Sequence, residues 1–103
     1  MTLPRKGRRN IVVDEHKYHW HFDPFRLWGN GSFVCVQDAT GQGPLLKMQW
    51  VGIVLPNHVE LAIRYALANG WSPKGGRILE IGANSIEDPV TFRIKPDGAP
   101  RYW

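Results

Sequence analysis

The stretch Tyr18-His19-Trp20-His21-Phe22 alternates strictly between large apolar and polar side chains. In an extended chain, successive side chains point to opposite faces, so a period of two marks a strand with one buried face. Tyr18, Trp20 and Phe22 share the face that calls for burial, and Lys17, His19 and His21 share the other. Upstream lies the β-branched run Ile11-Val12-Val13, joined to this segment by the polar Asp14-Glu15-His16-Lys17. Two such runs separated by a short polar turn predict a β-hairpin. Asp23-Pro24 ends the second strand, because proline has no N–H to give to the ladder.

Working outward, the same alternation recurs. A turn signal at Gly29-Asn30-Gly31 precedes a third strand over Phe33–Gln37. The polar segment Asp38–Gly43 leads to a fourth strand over Leu45–Val51, with Leu46, Met48 and Trp50 on one face and Lys47 and Gln49 on the other. These two form a second hairpin. The pattern then changes period. Val59, Ala62, Ile63, Ala66 and Leu67 recur at helical spacing, which predicts a helix over about 57–69. Asn57 is the expected N-cap, with Glu60 as its capping-box partner. Gly70 is the expected left-handed C-terminal residue, with Trp71 folding back on the last turn. A loop over Ser72–Gly76 leads to a short strand at Ile78–Ile81. A last strand at 90–95 turns Val90, Phe92 and Ile94 to the core.

The predicted fold class is α+β: an antiparallel sheet of five or six strands with one helix packed on one face. Short hairpin connections argue against parallel pairing. One helix covers only part of such a sheet, so the sheet curls or another surface, such as a partner subunit, covers the rest.

With 103 residues the chain suffices for one domain. Residues 10–96 make up that domain, between a flexible basic tail at 1–9 and a C-terminal tail at 97–103. Five tryptophans are many for this length, and three or four are expected in the core. The net charge of +4 has a particular location. Arg5, Lys6, Arg8 and Arg9 fall within the tail, and without them nine basic residues balance nine acidic ones. The folded body is thus neutral, which weighs against nucleic-acid binding through a folded face and leaves the arm to hold phosphates. Cys35 is the only cysteine, so no internal disulfide forms. It reads as a small buried hydrophobe in a reducing, cytoplasmic setting. No apolar run is long enough to cross a membrane or to serve as a signal peptide.

The chemistry-bearing residues are few. His19 and His21 point the same way from one strand and are the metal candidates, with His16 near the turn. A zinc site needs three or four ligands, and nothing in the spacing forces His58 or Cys35 to join them. Ser32, Ser72 and Ser85 lie in loops outside any nucleophile-elbow pattern. Lys74-Gly75-Gly76 follows the helix instead of opening one, so it is no phosphate cradle. Trp28, Tyr102 and Trp103 are the aromatics placed to anchor a protein interface.

Val12-Val13-Asp14-Glu15-His16-Lys17-Tyr18-His19-Trp20 resembles the V-D-G-x-x-Y-x-W opening of a group of small uncharacterised bacterial domains. The segment from Pro56 to Pro73 resembles their T-P-x-x-V-x-x-A-I-x-x-A-L-x-x-G-W-x-P helix. Glu15 stands where that pattern has a turn glycine, which predicts a wider turn. Leu55 stands where it has the threonine cap, which moves the cap to Asn57. The resemblance implies a small α+β fold and carries over no activity and no site residues.

These readings converge on a non-enzymatic binding or accessory module without a cofactor, acting through a protein–protein surface toward another protein or a second copy of itself. Nucleic-acid binding through Arg5, Lys6, Arg8 and Arg9 is the first alternative, and metal-dependent activity at His19 and His21 the second.

Overall fold

A computed structural model describes residues 8–24, 32–50, 54–83 and 91–96. Six strands and one helix follow in the order β1 (Arg9–Val13), β2 (His16–Pro24), β3 (Ser32–Asp38), β4 (Leu46–Trp50), α1 (Pro56–Ala68), β5 (Leu79–Ala83) and β6 (Phe92–Ile94). The strands form one sheet in sequential order. β1 begins at Arg9, inside the segment read as a tail. The segment at 78–81 is indeed a strand, displaced to Leu79–Ala83.

All pairings are antiparallel except β4 with β5. The parallel pair corrects the expectation of a wholly antiparallel sheet. The hairpin argument governs β1 to β4, but β4 reaches β5 through α1, and a helical crossover returns the chain in the same direction. The first rung of this pair is the Leu79 N–H to Leu45 carbonyl bond at 3.3 Å.

The hairpin turn is also narrower than expected. Val13 pairs with His16, so Asp14 and Glu15 alone make the turn, at φ +50° and +67°. Two left-handed residues are what a two-residue turn needs to match strand twist. The chain adopts that turn without glycine.

Register partners share a face, which places Ile11, Val13, Tyr18, Trp20, Val34, Val36, Leu46, Met48, Ile81 and Phe92 together. From the other side α1 contributes Val59, Ala62, Ile63 and Ala66, each fully buried, and Trp71 closes the cluster. Buried residues therefore line this face on all six strands. Among the described residues α1 and Trp71 cover its centre, while Phe22 stays partly exposed. Ile94 shares the face but is exposed at its margin, and so does not join the core with Phe92. Trp20 and Trp71 are core tryptophans. The readings of Val90, Trp28, Trp103 and the Trp50 side chain lie outside the described residues.

α1 starts one residue before its predicted start, with Leu55 as N-cap and Pro56 at the first helical position. Leu55 has no side-chain acceptor to offer. The His58 ring supplies half a capping box instead, its Nδ1 accepting from the Leu55 N–H at 3.2 Å. Asn57 is therefore inside the first turn, and Glu60 pairs with Arg64 at 3.2 Å. At the other end Gly70 has φ +97°, and the Trp71 N–H reaches back to the Ala66 carbonyl at 3.0 Å. No helix among the described residues is long and apolar enough to cross a membrane.

Candidate functional site

The sheet face away from α1 carries most of the polar side chains of the strands, though Gln37 and Gly82 on it are buried and the Gln49 Oε1 has no solvent access. Alternation fixes its membership: Lys17, His19 and His21 on β2, Phe33, Cys35 and Gln37 on β3, Lys47 and Gln49 on β4, Glu80 and Gly82 on β5, and Arg93 on β6. No described helix or strand packs over it. Among the described residues the β3–β4 loop reaches its rim, where the Gln37 side-chain amide donates to the Gly43 carbonyl at 3.0 Å.

The pairings align these residues in rows across the strands. Cys35 lies between His21 and Lys47, Lys47 pairs with Glu80, and Glu80 bonds to Lys95 through the Lys95 N–H at 2.9 Å and the Lys95 ammonium at 2.8 Å. Extending the β1–β2 register by one residue sets Arg8 beside His21. One row thus runs Arg8, His21, Cys35, Lys47, Glu80, Lys95. Six strands about 4.8 Å apart make it about 24 Å long. The adjoining row holds Phe33, Gln49, Gly82 and Arg93, with Asp23 at its β2 position.

Among the described side chains Arg8, Lys17, Lys47, Arg93 and Lys95 fall on this face, with Glu80 paired to Lys95. Other described acids lie elsewhere: Asp14 and Glu15 in the hairpin turn, Asp38 buried at the end of β3, and Glu60 on α1. His19 registers this environment. Burial and the nearby Arg8 guanidinium push its pKa down, against a smaller opposing pull from Asp38.

Two recesses flank the centre of the face. One, of about 320 Å³, is walled by Asn10, Val12, Lys17, His19 and Ala39. The other, of about 560 Å³, runs from the foot of α1 at Trp71 past Arg77 and Ile78 to Lys47, Glu80 and Lys95.

A separate polar cluster lies at the end of β3. The buried Asp38 carboxylate accepts hydrogen bonds from the Thr40 hydroxyl, from the Thr40 N–H at 3.0 Å and from His16 Nε2, and Lys74 Nζ lies 3.9 Å away. Burial works against its ionisation, but the Thr40 and His16 hydrogen bonds and the Lys74 charge outweigh it and hold the pKa at about 2. His16 stacks on Tyr18 with centroids 4.5 Å apart. Among the described residues Thr40 stands by the His16–Asp38 pair, and its hydroxyl donates to Asp38. The cluster reads as a lock that fixes the start of β2 to the end of β3. The sequence singled out His16 without its direction and took Asp38 for a loop residue.

His19 and His21 share one face, as the alternation predicts. Among the described residues no group of three or more His, Cys, Asp or Glu could hold a metal ion. Cys35 is only half-buried, on the sheet face away from α1, and not the core hydrophobe expected of it. Arg9 opens β1 with its guanidinium 5.6 Å from the centre of the Trp20 ring. Arg5, Lys6, Trp28, Tyr102 and Trp103 lie outside the described residues. No family model, no curated protein and no solved structure matches the chain.

Proposed function

We propose that this chain is a non-enzymatic binding module whose working surface is the sheet face away from α1, and that the partner it holds there is anionic. The observation that carries this reading is the gathering of Arg8, Lys17, Lys47, Arg93 and Lys95 on that face, where among the described side chains Glu80 is the one acid. Oriented cations of one sign raise the local concentration of an oppositely charged partner and steer its approach. The recesses at Lys17–His19 and at Lys47–Lys95 give the face relief for docking. In this reading Arg8 belongs to that face. A cytoplasmic setting, expected from the lone Cys35, accords with it.

The test is an NMR titration of the protein with a heparin fragment, used as a generic polyanion. Amide shifts are expected along β2, β3 and β4 at the positions of that face and to fade as salt is raised. Shifts confined to α1, or none at low salt, would defeat the reading.

A further inference from the structure

We infer that the recess where β4 and β5 begin and β6 ends is a binding site for a small organic acid. Trp71, Lys47 and Arg77 hold its carboxylate, and Ile78 and Ile94 take its apolar body. This inference goes beyond the sheet-face reading and does not rest on it.

The recess has the dimensions of a ligand site. Its volume of about 560 Å³ falls within the roughly 300–1,000 Å³ of small-molecule sites. Its walls come from both sides of the sheet: Leu79 and Ile94 from the side of α1, Lys47, Glu80 and Lys95 from the other. It is thus a feature of the sheet end and not of either face.

Three observations select the chemistry of the occupant. The first is an orphaned donor. Trp71 walls the recess, is 3% exposed, and its indole Nε1 is buried without an acceptor. Most buried polar side-chain atoms have a partner, because leaving one unpaired costs more than a made hydrogen bond returns. The Tyr18 ring packs beside the indole, with centroids 6.1 Å apart, and leaves this N–H unpaired. The second is charge. Glu80 and Lys95 pair with one another at 2.8 Å. Lys47 and Arg77 also line the recess, and among the described residues neither has a carboxylate partner. A carboxylate offers what these groups lack, two oxygens that accept from an N–H and from cations together. The third is the apolar wall. Ile78 and Ile94 are 53% and 41% exposed, although large aliphatic side chains gain by burial. With the half-buried Leu79 they give an apolar body a surface to lie on. Asn69 and Gly70 bring the negative end of α1 to the same recess, and Glu80 adds its charge. Both favour a monocarboxylate over a polyphosphate.

NMR titration of the isotope-labelled whole chain with phenylacetate, hexanoate and phenylacetamide tests this. The acids bind, shifting the Trp71 indole N–H resonance and the amides from Arg77 to Glu80. Phenylacetamide has the shape of phenylacetate without its charge and binds at least about tenfold more weakly. Arg77 and Ile78 are exposed, so their replacement leaves the fold intact. Arg77→Gln weakens binding of the acids about fivefold. Ile78→Glu sets a carboxylate in the wall and weakens it about tenfold or more. Arg64→Gln, on the exposed side of α1, changes nothing. Equal binding of phenylacetate and its amide overturns the inference, as does an indole resonance unmoved at saturation. Binding indifferent to both Arg77→Gln and Ile78→Glu, or no binding by either acid, also overturns it. Heparin binding without a response to the acids ends this inference and leaves the sheet-face reading standing, and the reverse result does the opposite.

Discussion

Leu55 occupies the one position in α1 where a side-chain oxygen would matter most, and it has none. It is about half exposed, so its apolar surface contributes little to the core. Leu55→Thr or Leu55→Asp is expected to stabilise the protein by about 1 kcal/mol, read as a raised denaturation midpoint at unchanged slope. Aspartate adds a favourable charge at the positive end of the helix. Glu15 makes a parallel case. At φ +67° it pays for a conformation that glycine adopts freely, and Glu15→Gly converts the turn to the favoured Asp-Gly pair. A gain of about 1 kcal/mol is expected by the same measurement. Both sites were legible as departures, because glycine and threonine are the residues that such a turn and cap prefer. Their outcome was not legible. Local rules moved the cap to Asn57 and widened the turn, but Pro56 and the His58 ring hold the helix start at Leu55. The Val13–His16 register keeps the turn at two residues.

The β3–β4 connection shows what an element can hide from its own sequence. Asp38 has a pKa of about 2 in the fold, below its ordinary value of 3.8. A carboxylate depressed on folding contributes stability above its unfolded pKa, and that contribution is lost as pH falls through the folded value. The lock is therefore fully present above about pH 5 and disappears between about pH 4 and pH 2, at a cost on the order of 2 kcal/mol. Asp38→Asn is expected to lose a similar amount at pH 7 and to show a flatter acid limb in urea unfolding between pH 5 and pH 2. In the same loop Gly43 has φ +86°, and a Cβ there would lie 2.1 Å from the Pro73 carbonyl oxygen. Gly43→Ala should cost at least about 2 kcal/mol, measured in the same way, because both the backbone angle and the backbone contact forbid it. Composition marked this segment correctly as a polar connection with glycines. Its partners are His16, Pro73 and Lys74, distant in sequence, and no local pattern reports them. The parallel β4–β5 pair was hidden for the same reason: strand periodicity gives faces but not neighbours.

At the scale of the whole molecule, alternation along single strands made each half of the sheet face away from α1 legible, with Lys17, His19 and His21 on one segment and Lys47 and Gln49 on another. Their assembly into one basic surface was not, because it depends on which strands adjoin and in what register. This arrangement bears on self-association. The centre of the helix face is buried, while Phe22 and Ile94 stay exposed at its margins. Two basic sheet faces brought together would oppose like charges, which costs association free energy. The β1 edge starts at Arg9, and charge at an edge strand blunts pairing with another chain. Like charge therefore works against self-association through the sheet face or the β1 edge. Light scattering at low ionic strength should return the monomer mass of 11.8 kDa. A stable dimer abolished by Lys47→Glu or Val12→Asp would mean that the sheet face is a subunit interface and that its charges are neutralised within the pair.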